Sequence, residues 1–195
     1  MPITHAFTSA KSDGADATLV QPGDWNAAHL TDPASSIVAA AAIANTETVV
    51  TSITMPLNTI AAGTTFRAVA YGRLTSGGTP GSSIFRVRIG TTTLTGNIPA
   101  TLTILNGTSK TNAPFRVEAL VTVRTSGTDG AAIGEIDATE GVAVLAFGVV
   151  SEISAVSATV VVDTTATKRV ELTYISGNSG TTATFEVAAI EIVKP

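Results

Sequence analysis

The chain contains no cysteine, which excludes disulfides, thiolate metal sites and cysteine nucleophiles and leaves stability to packing and assembly. Charge is also scarce: 13% of the residues are Asp, Glu, Lys or Arg, and the net charge is -4. With a pI near 5.1 and its Lys and Arg scattered, the chain offers no electrostatic footprint for a phosphate backbone, so no nucleic-acid partner is expected. Aromatic residues amount to 5%, a shortage that weakens any reading built on aromatic sugar platforms. A membrane span needs about 18 uninterrupted apolar residues. The longest apolar stretch, residues 141–162, is broken by Ser151, Glu152, Ser154 and Ser157 and is expected to form two strands, with no membrane insertion. Thr4 and His5 stand where a secretory signal would place positive charge and an apolar run, so no such signal is expected.

What is present divides near Asp32. Residues 1–32 hold the single tryptophan, Trp25, and both histidines, His5 and His29, among Asp13, Asp16 and Asp24. Residues 33–195 are dominated by Thr, Val, Ala, Ile and Gly, and the whole chain is 44% hydrophobic with a mean hydropathy of +0.37. The expected organisation is an N-terminal docking arm, residues 1–32, ahead of a β-sandwich domain, residues 33–195. At this length one domain buries about 70% of the surface its unfolded form exposes. An excess of apolar surface with so little charge points to partners as well as to an internal core. Closed symmetry satisfies such an excess without runaway assembly, and a homo-oligomer is expected.

Alternation of β-branched with polar residues, broken by Gly, Pro, Asn and Ser clusters, predicts strands throughout the body. In Phe115 to Arg124, the residues Phe115, Val117, Ala119, Val121 and Val123 share one face, and Arg116, Glu118, Leu120, Thr122 and Arg124 the other. Phe85, Val87 and Ile89 point inward between Arg86 and Arg88. Phe185, Val187, Ala189 and Val193 are expected to oppose Thr184, Glu186 and Ala188 in the last strand. Further strands are predicted near residues 35–44, 47–55, 64–74, 101–105, 141–151, 156–163 and 168–175, with turns at residues 77–81, 106–107, 127–130 and 177–180. The alanines of residues 35–44 also permit a short helix. The fold class is all-β, an antiparallel two-sheet sandwich of jelly-roll type preceded by an extended arm, with immunoglobulin-like connectivity as the alternative. Val142 to Val150 is nearly continuous in apolar residues, which calls for cover on both faces, from a loop or a neighbouring subunit.

Candidate chemistry is thin. A Ser-His-Asp arrangement would draw on His5 or His29, in an arm too poor in apolar residues to enclose a dry pocket. His5, Asp13, Asp16, Asp24 and His29 match no metal-ligand spacing, and Asp13-Gly14-Ala15-Asp16 lacks the calcium-loop pattern, so no metal and no cofactor is expected. Glu135, Asp137 and Glu140 form the densest acidic cluster of the body. Paired carboxylates serve glycoside hydrolysis, but without aromatic platforms the cluster reads as a solvated hairpin rim, and no catalytic residue is assigned. The arm itself reads as a docking segment. Pro2 and Pro22 resist helix, Asp13-Gly14 and Pro22-Gly23 mark turns, and Phe7, Leu19 and Trp25 are apolar anchors too widely spaced to form a core. Asp24 is placed to cap a short turn through Asn26 and His29 while Trp25 fills a pocket, either on a partner or on the chain's own sandwich.

The arm sequence HAFTSAKSDGADATLVQPGDWNAAH, residues 5–29, resembles an N-terminal segment of tail-fibre-like and other virion proteins of tailed bacteriophages. Gly23 stands where that segment often has Ser. The resemblance covers about the first sixth of the chain, and the body resembles phage jelly-roll domains by composition alone. It implies a non-enzymatic structural protein on the virion surface, assembled in the bacterial host cytoplasm. His5, Phe7, Asp13, Asp16, Leu19, Pro22, Asp24, Trp25, Asn26 and His29 would dock it to another virion protein of capsid or tail, and the sandwich would be displayed as a trimer. Capsid decoration or a head fibre is one expected role; a tail-fibre or receptor-binding protein adhering to host surface glycan is another. A carbohydrate-binding module remains as a reading from a different class.

Overall fold

The computed structural model describes residues 34–36, 45–79, 81–140, 151–178 and 180–194. Among them every regular element is a strand: β1 (Ala34–Ser36), β2 (Thr48–Met55), β3 (Thr65–Ser76), β4 (Gly81–Gly90), β5 (Asn97–Asn106), β6 (Ala113–Thr125), β7 (Ala131–Glu140), β8 (Ser151–Val156), β9 (Val160–Val161), β10 (Lys168–Ser176) and β11 (Thr181–Lys194). All pairings are antiparallel. One sheet runs β1-β11-β3-β6-β7-β8, with β9 also paired to β7; the other runs β2-β10-β4-β5. The protein is thus an all-β, two-sheet antiparallel sandwich. No described helix is long and apolar enough to cross a membrane.

The period-2 patterns account for this arrangement. Phe115, Val117, Ala119, Val121 and Val123 of β6 are buried, as are Phe85, Val87 and Ile89 of β4, each set lining the space between the sheets. Four rings tie the layers together. Phe85 and Tyr174 come from the four-stranded sheet, Phe115 and Phe185 from the other, with centroids 5.1 Å apart for Phe85–Tyr174, 5.9 Å for Phe85–Phe115 and 5.3 Å for Phe115–Phe185. Several of these contacts are tilted or edge-to-face, the arrangement that the ring quadrupole favours. The Tyr174 hydroxyl is satisfied by Ser83 Oγ at 3.0 Å, which also accepts from Asn106 Nδ2 at 3.0 Å. Burial holds that phenol above its ordinary pKa, against the opposing effect of these hydroxyl contacts.

Three expectations need correction. In β11 a bulge between Phe185 and Val187 inserts one residue and reverses the parity beyond it. Ala188 and Ile190 consequently point into the core, and Val187 and Val193 lie exposed. Residues 156–163 do not form one strand: β8 ends at Val156, and only Val160–Val161 resume pairing, on the same strand β7. Glu135, Asp137 and Glu140, read as a solvated hairpin rim, belong to a full strand, β7, inside the larger sheet between β6 and β8. Residues 141–150 and 37–44, with the strand and helix expectations placed on them, lie outside the described residues, as does the arm.

Candidate functional site

The ten arm residues from His5 to His29 lie outside the described residues, so the site chemistry open to description is that of the body. There the acidic cluster of β7 is not one solvated group. Glu135 is exposed and accepts from Ser154 Oγ at 3.4 Å, Asp137 is half-buried, and Glu140 is buried, paired with Lys110 Nζ at 2.7 Å. Asp137 shares a shallow hollow of about 150 Å³ with Arg116, Glu118 and Thr139 on the outer face of the larger sheet. Glu135 and Asp137 thus share the outer face of β7, as their spacing predicts, and Glu140 points inward. Among the described residues no three His, Cys, Asp or Glu side chains are grouped to hold a metal ion.

Ion pairs cover both outer faces. On the larger sheet Arg67 of β3 donates to Glu118 of β6 at 2.6 Å and to Glu191 of β11 at 2.9 Å; the first of these bonds leads in holding the Glu118 carboxyl below its usual range. Arg116 donates to Glu118 and lies over the Tyr71 ring, 5.9 Å from its centroid. Around this network Tyr71, Leu120, Val156 and Val187 remain exposed. On the smaller sheet Glu47, just before β2, reaches across β10 to β4. Its carboxylate accepts from Arg88 Nε at 2.6 Å and Nη2 at 2.7 Å, Arg86 Nη1 at 3.1 Å and Thr173 Oγ1 at 2.6 Å. Burial by itself would raise the Glu47 pKa, but these bonds and the two guanidinium charges outweigh it and bring it to about 2.

Among the described residues a groove of about 370 Å³ lies at one end of the sandwich, where the β4–β5 turn, the β6–β7 turn and the segment from β9 to β10 converge. Its walls are fixed by backbone bonds. Val162 N donates to Gly130 O at 2.6 Å and Thr164 N to Gly127 O at 2.9 Å, while Gly127 N donates to Thr164 Oγ1 at 2.9 Å. The Asn97 amide nitrogen donates to Val161 O and ties the opposite wall. Gly96 makes the closest turn: its φ is +88°, a conformation that any Cβ disfavours. A Cβ there would also stand 2.2 Å from Ile89 O.

Two charged groups face each other in the groove. Lys168 is 6% exposed, and its ammonium donates to Asp163 Oδ2 at 3.5 Å, the sole partner among the described residues. Asp163 Oδ1 is engaged by Thr165 N at 2.9 Å and Thr165 Oγ1 at 2.7 Å. Those Thr165 bonds, the hydroxyl first, hold the Asp163 carboxyl below its ordinary pKa, with Lys168 assisting. Val161, 56% exposed, supplies an apolar lip, and Thr128 and Asn97 add polar groups. The residues come from three separate turns, and only the pairing of strands brings them together. Neither protein-family models nor curated proteins match the chain.

Proposed function

We propose that the protein is a non-enzymatic structural component of a tailed-phage virion surface, docked by its N-terminal arm and displaying the sandwich as a homotrimer, in capsid decoration or as a head fibre. The observation carrying this reading is the phage-like arm sequence, residues 5–29, placed ahead of a sandwich that has its own continuous core. A body with such a core has no need of the arm for its packing, which leaves the arm's anchors for a partner. The strand order supports the jelly-roll reading. Apart from the appended β7, β8 and β9, the sheets read β1-β11-β3-β6 and β2-β10-β4-β5, the interleaving of two Greek keys. The exposed Tyr71, Leu120, Val156 and Val187 on one outer face support burial against further copies.

Removal of residues 1–32 tests this reading. The expected product is a folded β domain, trimeric by light scattering, that no longer attaches to particles, and immuno-gold labelling of virions locates the intact protein on head or tail. Trp25→Ala is expected to weaken attachment by about 2 kcal/mol or more, the threshold of a hot spot. An unfolded truncation product, or attachment that persists without the arm, refutes the docking role. A second reading, adhesion to host surface glycan, is favoured by one specific observation, the polar groove between the turns.

A further inference from the structure

We propose that the groove formed by residues 89–97, Thr128 and residues 161–168 is a binding site for one neutral sugar ring. The inference rests on the second reading, glycan adhesion, and names its site and ligand class. The groove's 370 Å³ lies within the range of pockets that hold small ligands, about 300–1,000 Å³. Its three walls are held by the backbone bonds described above, so a ligand meets a formed surface and little ordering opposes binding.

The chemistry of the ligand follows from Lys168 and Asp163. An ammonium carries three donors, and that of Lys168, almost wholly buried, has one long contact of 3.5 Å. Unused donors on a buried cation are costly, and an acceptor entering the groove removes that cost. Asp163 Oδ2 has no partner except the same ammonium among the described residues, so it keeps acceptor capacity for a ligand proton. The pair therefore offers a donor and an acceptor side by side. Adjacent hydroxyls of a sugar ring meet both at once, one accepting from Lys168 and the next donating to Asp163. The two charges cancel and no other charged residue among those described lines the groove, which favours a neutral polyol over an anion or a cation. Val161 supplies the apolar surface that the C–H face of a pyranose requires.

The test uses the full chain, isotopically labelled, titrated with the methyl glycosides of glucose, galactose and mannose, with glucuronate and inorganic phosphate as charged probes. At least one neutral glycoside is expected to shift the amides of Thr128, Val161 and Asp163, with affinity near about 1 mM, or about 4 kcal/mol. Thr128→Trp blocks the groove from its exposed rim and leaves the ion pair in place; it is expected to cut affinity at least tenfold with an unchanged circular dichroism spectrum. Lys168→Met should act likewise, and if it fails to fold, Thr128→Trp decides alone. Shifts confined to other surfaces, undiminished binding in Thr128→Trp, preference for the charged probes, or no shift with any glycoside would each overturn the proposal. Groove binding of a neutral glycoside by a chain whose host adsorption is unaffected by Thr128→Trp would keep the site and refute adhesion. Absence of sugar binding in a chain that still attaches to particles would refute the site alone and leave the display reading standing.

Discussion

Replacing Glu47 with Gln removes the one carboxylate that joins three strands of the smaller sheet. In the folded protein the Glu47 carboxyl titrates at about 2, against an ordinary 4.5. At about 1.4 kcal/mol per pKa unit that difference corresponds to about 3 kcal/mol. The Glu47 side chain keeps 15% exposure, and nearby water screens the pair, so a loss of about 2 kcal/mol is expected at neutral pH. Gln retains one acceptor but turns an amide donor toward the Arg86 and Arg88 guanidinium groups, which then have to find water. The sign of the pH dependence follows from the depressed pKa. The contribution is complete above the unfolded value near 4.5 and is lost as pH falls toward about 2. Urea unfolding of both proteins, followed by circular dichroism from neutral pH to about pH 2, isolates this group, because the other carboxylates cancel in the difference. The gap is expected to narrow to within about 0.5 kcal/mol at the acid end. A gap that does not change with pH, or no gap at neutral pH, would show that the Glu47 pairing does not stabilise the sheet.

Phe85→Ala removes the ring that touches Phe115, Tyr174 and Phe185 and is expected to cost about 3–5 kcal/mol; a loss below about 1 kcal/mol in denaturant titration would mean that these rings do not join the two layers. The double change Glu135→Gln and Asp137→Asn is expected to alter stability by no more than about 0.5 kcal/mol and to leave particle attachment intact. The native chain is expected to cleave no host polysaccharide, and cleavage abolished by that double change would reverse the non-enzymatic reading.

How far the fold can be read from the sequence depends on what each strand shows to its two sides. In β6 and β4, large apolar residues alternate with charged ones, and the structure follows the pattern residue by residue. In β11 the same pattern misleads past Phe185, since a single extra residue leaves no mark in composition but turns the rest of the strand over. In β7 the inward positions include Ala132, Gly134 and Ala138, too small to announce a buried face. Gly134 is small for a reason found elsewhere in the chain: a Cβ there would stand 2.8 Å from Val121 Cγ2 and 2.9 Å from Ala100 Cβ. The groove was invisible for a related reason. Lys168 and Asp163 read as ordinary charged residues near a strand, and nothing local signals that the turns at Gly96 and Thr128 come to lie beside them. The anchors expected in the arm rest on motif and composition alone, and they fall outside the described residues.

The places of β10 and β11 in the two sheets set the order in which the protein can come into being. Each enters the interior of a sheet, β10 between β2 and β4 and β11 between β1 and β3. Synthesis proceeds from the N-terminus, so β2, β3 and β4 leave the ribosome with open edges and wait more than 70 residues for the strands that will fill the gaps. Among the described residues β2 pairs with β10 alone and β1 with β11 alone. A nascent chain short of Lys168 therefore holds hairpins such as β4–β5 and β6–β7 but neither complete sheet, and it exposes unpaired strand edges of the kind that invite intermolecular pairing. Pairings between such distant segments also slow folding. The yield of folded protein is thus expected to depend on how well those early edges are kept apart until the final strands arrive.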